Sequence, residues 1–355
     1  MITHRTVAGM LGATLVAGAA LLSGCASPAE DPATTGSPGA ASLGEVTLQL
    51  PWILNSQFIG EYLAVDEGYF AEAGLDRVNL VPGPSSAVSE VLSGTADLGM
   101  ADAMTIGSIV ANEGAPVKII ASTYQKNPYS VLSLEGENAI RTPEDLIGKR
   151  IGVQDVNQVL FNALLTANNI SSDDVEVVPV SYDPSPLIFG EVDGYMSFLT
   201  NESILVRAEG HDAVDMAFTD NGLPFVADAI IATEEMIETQ REKLKAFLVG
   251  EIRGYTEALH DPQKGIDLMM AQTGTDLGLD AANELLCAEA ANELLIVTEE
   301  TAENGLFTTS PTLQEQTIAT LAAAGIDVAA ADMFDMSLLA EVYAEHPELL
   351  GYMNS

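Results

Sequence analysis

Short runs of aliphatic and β-branched residues alternate with amphipathic segments along the chain from Glu45 onward. Residues 46–50 alternate apolar and polar side chains as a half-buried strand does, whereas residues 56–68 place apolar side chains at the spacing of a helix. The same pattern predicts further elements before residue 125: strands at 78–81, 97–100 and 117–124, and helices at 85–93 and 103–113. Strands that are separated by helices of this length predict parallel pairing with right-handed crossovers.

The same alternation returns after residue 140. Thr142 and Pro143 give a capped helix start, and Gly148 ends that short helix. Three strands and one helix follow, the strands at 150–153, 175–180 and 195–198 and the helix at 157–168. A Gly-x-x-Asp sequence precedes a strand in both halves, at 94–97 and at 190–193, so we predict two α/β lobes of similar build.

The last third of the chain changes character after one apolar strand, at 225–232. From there to the end, the spacing of apolar residues predicts mostly helices, with long ones at 238–259 and 281–297. We therefore predict that the chain returns to the first lobe after completing the second.

The predicted fold is a two-lobed α/β architecture in which each lobe is a mainly parallel sheet flanked by helices. The first lobe comprises residues 44–131 and 224–355, and the second comprises residues 132–223. Two crossings, near residues 129–134 and 223–229, favour hinge bending. A ligand is expected in the cleft between the lobes, at the carboxyl ends of the strands.

The N-terminal segment has the features of a targeting signal rather than of a folded element. Residues 1–24 form a predicted secretory signal peptide, whose apolar stretch is too short and too rich in small residues for a membrane-spanning helix. Residues 22–25 read Leu-Ser-Gly-Cys, like a bacterial lipobox, so we predict that Cys25 carries fatty-acyl chains such as palmitate and anchors the protein in the cell membrane. Residues 25–43, rich in Ala, Ser, Pro, Thr and Gly, are predicted to be a flexible tether. An ordinary secreted protein, with Cys25 inside its signal peptide, is the alternative.

The amino-acid composition limits which classes of partner the protein can bind. The 355 residues include 52 acidic against 13 basic side chains, for a formal net charge of −39, and 47% are hydrophobic. Binding to nucleic acid, or directly to an anionic membrane surface, needs clustered Lys and Arg, so both are excluded as partners. Two cysteines form neither a disulfide framework nor a four-cysteine zinc site. Cys287, inside a predicted helix, is interpreted as a small buried apolar residue.

The loops after the predicted strands supply candidate ligand-binding residues. They are rich in aromatic and amide side chains, and Lys126 is the one basic residue among them. Trp52, the only tryptophan, is expected to stack on a ring, while Glu202 is expected to accept from an amino group. The full set of predicted ligand-binding residues is Trp52, Asn55, Tyr62, Ser85, Ser86, Asp102, Tyr124, Asn157, Tyr182, Tyr195, Asn201 and Glu202.

The charge of these loops favours a neutral or weakly cationic aromatic ring. Sulfonates, nitrate and phosphates need fixed donors and usually positive charge. Residues 83–86 offer backbone N–H groups at a predicted helix start, so an anion stays open as an alternative.

Catalysis has little support in the sequence. His211, His260 and His346 lie in helix ends or loops away from the predicted cleft, and no G-x-S-x-G, H-E-x-x-H or Walker-type motif occurs. An acid–base pair among the cleft carboxylates stays open, although accepting hydrogen bonds is the simpler role. We predict no catalytic residue, no metal site and no cofactor.

Seven segments carry a family resemblance, which covers nearly the whole mature chain. They are residues 50–55 (LPWILN), 60–64, 67–75 (EGYFAEAGL), 92–99, 148–153, 190–193 and 201–202. They resemble bacterial ABC-transporter substrate-binding lipoproteins of the thiamine-pyrimidine-precursor-like group, which also includes sulfonate, taurine and nitrate binders. The resemblance implies a periplasmic-binding-protein-like fold of type II that closes on its ligand and delivers it to a membrane permease.

Two positions depart from the pattern of the pyrimidine binders in this group. Where those binders commonly carry a proline and a histidine around the motif's asparagine, this chain has Leu54 and Phe58, so the pyrimidine assignment is weakened. Members that synthesise pyrimidine carry cysteine-rich and histidine motifs that this chain lacks.

The resulting hypothesis is a monomeric, lipid-anchored solute-binding component of an ABC importer on the extracytoplasmic face of the cell membrane. It would capture a small aromatic heterocycle similar to a thiamine pyrimidine precursor, and its partners would be the permease and ATPase subunits. Riboflavin, another flat heterocycle or a sulfonate-type ligand are the alternatives within this class. An enzyme or a ligand sensor on the same scaffold is the alternative from another class.

Overall fold

The computed structural model of the chain describes residues 42–352. The predicted signal peptide, the predicted lipidation site Cys25 and nearly all of the predicted tether lie outside these residues. Leu43, predicted as tether, belongs to the fold, since its N–H donates to Gly74 O at 3.0 Å and its side chain packs against the core. Along residues 42–352, no helix combines the length and the apolar character needed to cross a bilayer.

Two five-stranded sheets form the centre of the fold. Their strands are Glu45–Gln49 (β1), Arg77–Val81 (β2), Leu98–Ala101 (β3), Val117–Tyr124 (β4), Tyr129–Leu134 (β5), Arg150–Val153 (β6), Glu176–Pro179 (β7), Gly194–Phe198 (β8), Ala213–Ala217 (β9) and Ala227–Thr233 (β10). The first sheet has the order β2-β1-β3-β10-β4, and the second has the order β7-β6-β8-β5-β9.

The two sheets follow the same plan. In the first, β1 pairs in parallel with β2 and β3, while β10 is antiparallel to both β3 and β4. In the second, β6 pairs in parallel with β7 and β8, while β5 is antiparallel to both β8 and β9. Four strands of each sheet therefore run in one direction, and the strand that enters the sheet after a chain crossing runs against them. The predicted two-lobed fold with mainly parallel sheets is confirmed.

Helices cover the sheets and form most of the chain after β10. The α-helices are Ile59–Asp66 (α1), Tyr69–Glu72 (α2), Val88–Ser93 (α3), Ala103–Glu113 (α4), Gln158–Ala167 (α5), Ser185–Ile188 (α6), Glu202–Ala208 (α7), Glu234–Thr239 (α8), Arg241–His260 (α9), Pro262–Met269 (α10), Ala281–Ala291 (α11), Glu299–Asn304 (α12), Pro311–Ala323 (α13), Ala330–Met333 (α14) and Ser337–Glu345 (α15). Short 3-10 helices lie at Ser56–Phe58, Pro143–Leu146, Asp155–Asn157, Ser172–Asp174, Thr219–Asn221 and Pro347–Gly351, and π-helical turns at Met270–Gly274 and Asn292–Ile296.

Local signals explain where several helices begin and end. Asp102 caps α4 by accepting from Thr105 N, and Gly114 ends α4 in the left-handed conformation, with φ at 65°. The helix predicted at 85–93 begins later, at Val88, because Ser85 takes part in the preceding loop, where its hydroxyl accepts from Ala87 N.

The two chain crossings lie close together. Asn127 connects them, since its Nδ2 donates to Leu223 O at 2.7 Å and its Oδ1 accepts from Tyr129 N at 2.9 Å. Strand β5 begins at Tyr129 in the second sheet, so the lobe boundary predicted between residues 131 and 132 falls inside a strand. The division into lobes otherwise stays a prediction, with the crossings at 125–128 and 223–226.

Candidate ligand-binding cleft

A cavity lies between the two sheets. It opens where β1, β3, β6 and β8 end, since segments directly after these four strands contribute to its wall. The lining residues are Pro51, Trp52, Gln57, Ser85, Ser86, Ala101, Asp102, Thr105, Tyr129, Gln154, Val156, Asn157, Met196, Ser197, Phe198, Asn201, Glu202 and Asp228. Both sheets thus build one wall each of the same space.

Seven of the predicted residues come together around this cavity. They are Trp52, Ser85, Ser86, Asp102, Asn157, Asn201 and Glu202. Their role in binding stays a prediction.

The other five predicted residues do not line this cavity. Asn55 is buried and caps the first 3-10 helix by accepting from Gln57 N at 3.2 Å. The Tyr62 hydroxyl is hydrogen-bonded to the Thr273 hydroxyl at 2.6 Å, away from the cleft. Tyr195 lies in the core of the second lobe, packed with Leu132 and other apolar residues.

The remaining two lie next to the cavity. Tyr124 is buried behind Phe198, with ring centroids 6.3 Å apart, and lines a small side chamber that Cys287 also lines. Tyr182 is 44% exposed and lines a shallower depression beside Trp52. Both therefore lie at the edge of the candidate site rather than within it.

Four lining residues that the sequence did not single out have side chains suited to binding. They are Gln57, Thr105, Phe198 and Asp228. For Asp228, the sequence held a usable signal, because an acidic residue inside the apolar run 225–232 needs a reason to be buried. Asp228 also has φ at 43°, in the left-handed region that few side chains adopt.

Asp102 and Asp228 lie at neighbouring positions of the cavity wall. The antiparallel β3–β10 ladder pairs Ala101 with Ala229, and Asp102 directly follows β3 while Asp228 directly precedes Ala229. Both residues line the cavity, and the charge of Asp102 acts on Asp228. Two acidic side chains thus share one stretch of the cavity wall.

The two carboxyl groups differ in how the protein satisfies them. Both oxygens of Asp102 accept from Thr105, from its N–H at 2.9 Å and its hydroxyl at 2.7 Å. Asp228 accepts from Gln57 Nε2 at 2.6 Å on Oδ2, and no group of the described residues donates to its Oδ1. Burial raises the pKa of Asp102 above its ordinary value and raises the pKa of Asp228 to about 7, with the charge of Asp102 adding to the second shift.

Glu202 is a third buried carboxyl group in the wall. It is 5% exposed, and its Oε2 accepts from Phe198 N at 2.9 Å. Burial raises its pKa to about 7, and the charge of Glu284 adds to the shift. At neutral pH the cavity therefore holds carboxyl groups that exchange protons readily.

Aromatic and amide side chains complete the wall. Tyr129 and Phe198 form an edge-to-face pair with centroids 4.5 Å apart, and Trp52 is half-buried on the opposite lobe. The amides are partly engaged, since Asn157 Nδ2 donates to Gln154 Oε1 at 2.9 Å while its Oδ1 accepts from the Tyr129 hydroxyl at 3.3 Å. This arrangement suits a flat ligand that carries N–H donors on its rim.

Within the described part of the chain, basic and thiol side chains do not contribute to the cavity wall. No lysine, arginine, histidine or cysteine is among its lining residues, and the Ser85 hydroxyl donates to Glu90 at 2.8 Å rather than to a base in the cavity. Within residues 42–352, no group of three or more His, Cys, Asp or Glu is arranged to hold a metal ion.

Comparison with known proteins identifies the family. The profile of the family described as NMT1/THI5 like matches residues 55–265. This chain belongs to the NMT1/THI5-like family. The matched segment runs from Asn55 through both sheets and into α10, and the predicted family resemblance is confirmed.

Relatives of this NMT1/THI5-like chain include binding proteins and a synthase. It is 24% identical over 269 residues to the formylaminopyrimidine-binding protein of Halalkalibacterium halodurans, covering 74% of this chain and 79% of that protein. It is 26% identical over 251 residues to the riboflavin-binding protein RibY of Chloroflexus aurantiacus, covering 68% and 71%. It is also 25% identical over 237 residues to the 4-amino-5-hydroxymethyl-2-methylpyrimidine phosphate synthase THI5 of Saccharomyces cerevisiae, covering 63% and 69%.

Among solved structures, the chain is similar to the alkanesulfonate-binding protein SsuA of Xanthomonas axonopodis pv. citri. The TM-score is 0.59 at 15% sequence identity, covering 82% of this chain and 96% of that one. At this identity the likeness concerns the fold, and it agrees with the two-lobed arrangement seen here.

Proposed function

We propose that this protein is the solute-binding component of an ABC importer and captures a small, flat aromatic heterocycle between its two sheets. The observation that carries the proposal is the cavity wall, in which Trp52, Tyr129 and Phe198 offer ring surfaces and buried carboxyl groups offer acceptors. Relatives are named for binding a formylaminopyrimidine and riboflavin. Both are ring systems that aromatic side chains bind by stacking.

The way in which the lobes are connected supports the proposal that the protein closes on its ligand. Only two chain segments, 125–128 and 223–226, join the sheets, and Asn127 holds them together through Leu223 O and Tyr129 N. Two short connections permit rotation of one lobe against the other while they limit sliding. A rotation of this kind would open the cavity to solvent and then enclose a ligand.

Riboflavin is the second candidate ligand. A relative is named for binding it, and the aromatic side chains of the cavity wall suit its flat ring system. An anion such as a sulfonate or nitrate is disfavoured, because no basic side chain lines the cavity to offset its charge.

The finer parts of the proposal concern location and partners. We propose that Cys25 anchors the protein by lipid on the extracytoplasmic face, that it delivers its ligand as a monomer to permease and ATPase subunits, and that it has no enzymatic activity. The absence of a histidine or cysteine in the cavity wall supports binding over turnover. A Cys25→Ser variant should lose its membrane association, which detergent partitioning of cell extracts would measure.

The fluorescence of Trp52 offers a direct test, because it is the only tryptophan in the chain. Purified protein would be titrated with a 4-aminopyrimidine, riboflavin, an alkanesulfonate and nitrate, with calorimetry for riboflavin because it absorbs light itself. We expect saturable binding of a flat heterocycle, and its recovery chemically unchanged after prolonged incubation. Binding of the sulfonate or nitrate alone, or turnover of the ring, would contradict the proposal.

A variant pair assigns the binding to the cavity. Trp52→Ala should weaken binding of the best heterocycle by about 1–3 kcal/mol, as loss of a buried aromatic contact does. Phe189→Ala removes an aromatic side chain that is 75% exposed and outside the cavity, so its affinity should equal that of the wild type. Equal affinities for all three proteins, measured by calorimetry, would remove Trp52 from the site.

A further inference from the structure

Three carboxyl groups with unlike surroundings line the same cavity, and one of them is poised toward its interior. Asp228 is 4% exposed, its Oδ2 is held by Gln57, and within the described residues its Oδ1 has no donor. Asp102 stands opposite but is fully used in capping α4. Asp228 Oδ1 is therefore an acceptor on this wall that a ligand is free to use; Glu202 Oε1 is another, since Phe198 N donates to Oε2.

The surroundings of Asp228 supply no positive charge. The titratable groups that interact with it electrostatically are Asp102 after β3, Glu61 on α1, Tyr124 on β4, Tyr129 on β5 and Tyr255 on α9. All are acids or phenols, and no lysine or arginine of the described residues forms an ion pair with Asp102, Asp228 or Glu202. A buried carboxylate ordinarily needs a charged or strongly donating partner.

We propose that Asp228 is the specificity-determining residue of the cavity and pairs with a cationic or protonatable nitrogen group on the ligand, such as an amidine. This inference rests on the proposed function and narrows its ligand class to flat rings with that group. Asp102 further favours a cation, because it places a second acidic side chain on the same cavity wall, directly after the neighbouring strand β3. The left-handed backbone of Asp228, which turns its side chain at the start of β10, is the kind of conformation that proteins retain at binding sites.

The proposal includes an exchange of protons. The Asp228 carboxyl group, with its pKa at about 7, is partly protonated near neutral pH, and a cation that binds against it displaces that proton to solvent. Affinity for a cation should therefore rise with pH between about 6 and 8, and binding should release protons. A neutral ring of the same shape should show neither effect.

Three simple probes of equal size test the inference without knowledge of the natural ligand. Benzamidine is cationic, benzamide is neutral and benzenesulfonate is anionic, while all three share one flat ring. Calorimetry in two buffers of different ionisation enthalpy would give both affinity and proton release. We expect the order benzamidine, benzamide, benzenesulfonate, with proton release for benzamidine alone.

Two variants assign the effect to Asp228. Asp228→Asn keeps the shape and the contact with Gln57, and should weaken benzamidine binding about 10-fold or more while leaving benzamide unchanged. Glu284→Gln, which changes a buried carboxyl group outside the cavity wall, should bind all probes as the wild type does. Thermal unfolding checks that both variants are folded.

The outcomes separate this inference from the proposed function. If benzamidine does not bind at millimolar concentration, or binds equally to wild type and Asp228→Asn, the inference is wrong, whether or not the heterocycle panel binds. If benzamidine binding depends on Asp228 while no natural heterocycle binds, the inference stands and the proposed ligand class falls. Preference for benzenesulfonate would overturn both.

Discussion

Two regions of this protein bury carboxyl groups, and they differ in what lies beside them. In the cleft, Asp228 and Glu202 line the cavity between the sheets. Beneath it, Glu61 on α1 and Glu251 on α9 are both 0% exposed, and no group of the described residues donates to their four oxygens. The first region has an acceptor that a ligand can reach, whereas the second has acceptors that only a proton can reach.

The close contact of α1 and α9 encloses Glu61 and Glu251, here called the interior pair. A Cβ added at Gly254 would lie 2.2 Å from Gly60 O, and one added at Gly60 would lie 2.2 Å from the Tyr255 ring. The two helices thus approach so tightly that no space remains for a ligand between the carboxyl groups. Carboxyl groups that are buried in the protein interior therefore cannot contact a ligand, whereas carboxyl groups that are buried beside the cavity can.

Protonation makes the interior pair compatible with folding. Burial raises the pKa of Glu61 to about 8, and burial together with the charge of Glu61 raises the pKa of Glu251 well above its ordinary value. A proton on one carboxyl group supplies a donor to the other, as in carboxyl pairs that share a proton. The folded state therefore holds protons at neutral pH that the unfolded state has lost.

The largest expected effect is a loss of stability as the pH rises. Glu61 has an ordinary pKa of 4.5 when unfolded and about 8 when folded, so between these values the unfolded state releases a proton that the folded state keeps. Each step upward in pH through this window favours unfolding. Compared with a Glu61→Gln, Glu251→Gln double variant, the wild type should lose about 4 kcal/mol of unfolding free energy or more between pH of about 5 and 8, since the raised pKa of Glu251 adds to the effect of Glu61. Urea denaturation at several pH values measures the difference.

Asp228 in the cavity wall provides the comparison for the pH dependence that Glu61 and Glu251 cause. Asp228→Asn should also reduce the pH dependence, but a saturating cationic ligand should do the same for the wild type by allowing Asp228 to ionise. The ligand should leave most of the contribution of Glu61 and Glu251 in place, because burial, and not the nearby charge of Asp228, is the main cause of their raised pKa values. Parallel curves for the wild type and the double variant would show that the interior pair does not hold the proposed protons.

A smaller effect is expected from the helix contact that encloses the pair. Gly254→Val forces a side chain against Gly60 O and Ala64 and should destabilise the protein by about 2–3 kcal/mol. Gly254→Ala should act in the same direction, and it keeps the test possible if the larger variant does not fold. Gly351→Val, at a position with no atom within 4 Å, should be neutral in the same chemical denaturation. Equal stability of Gly254→Val and wild type would mean that α1 and α9 are less tightly packed than described.

The order of strands and helices was predictable because its signals are local. Helix α4 and strands β4 and β6 begin and end at the predicted residues, since alternating or helical spacing, caps and glycines fix them within a few positions. Strand β9 was not predicted, because its five residues, with Asp215 in the middle, give too short a pattern. The helix predicted at 281–297 is divided, with α11 ending at Ala291 and a π-helical turn following it.

The cavity was only partly predictable, and the strand directions explain why. Trp52, Asp102 and Glu202 were found by examining the segments after strands, a rule that holds for strands pointing toward the cleft. Asp228 was missed, because it comes from the second position of β10, which runs antiparallel to its sheet and so meets the cavity with its amino end. Which strands are reversed depends on long-range pairing that no local pattern records.

The smallest expected effect comes from an acidic residue outside both regions. It tests whether burial, rather than acidity alone, decides how strongly a carboxyl group affects the stability of the fold. Glu135 forms an ion pair with Arg141, and each side chain is about half exposed. Because water solvates Glu135 in the folded and the unfolded state alike, Glu135→Gln should change the unfolding free energy by less than about 0.5 kcal/mol. A loss above about 1 kcal/mol, in urea denaturation at neutral pH, would mean that exposed ion pairs also stabilise the fold. Burial alone would then not explain how the carboxyl groups of this protein affect its stability.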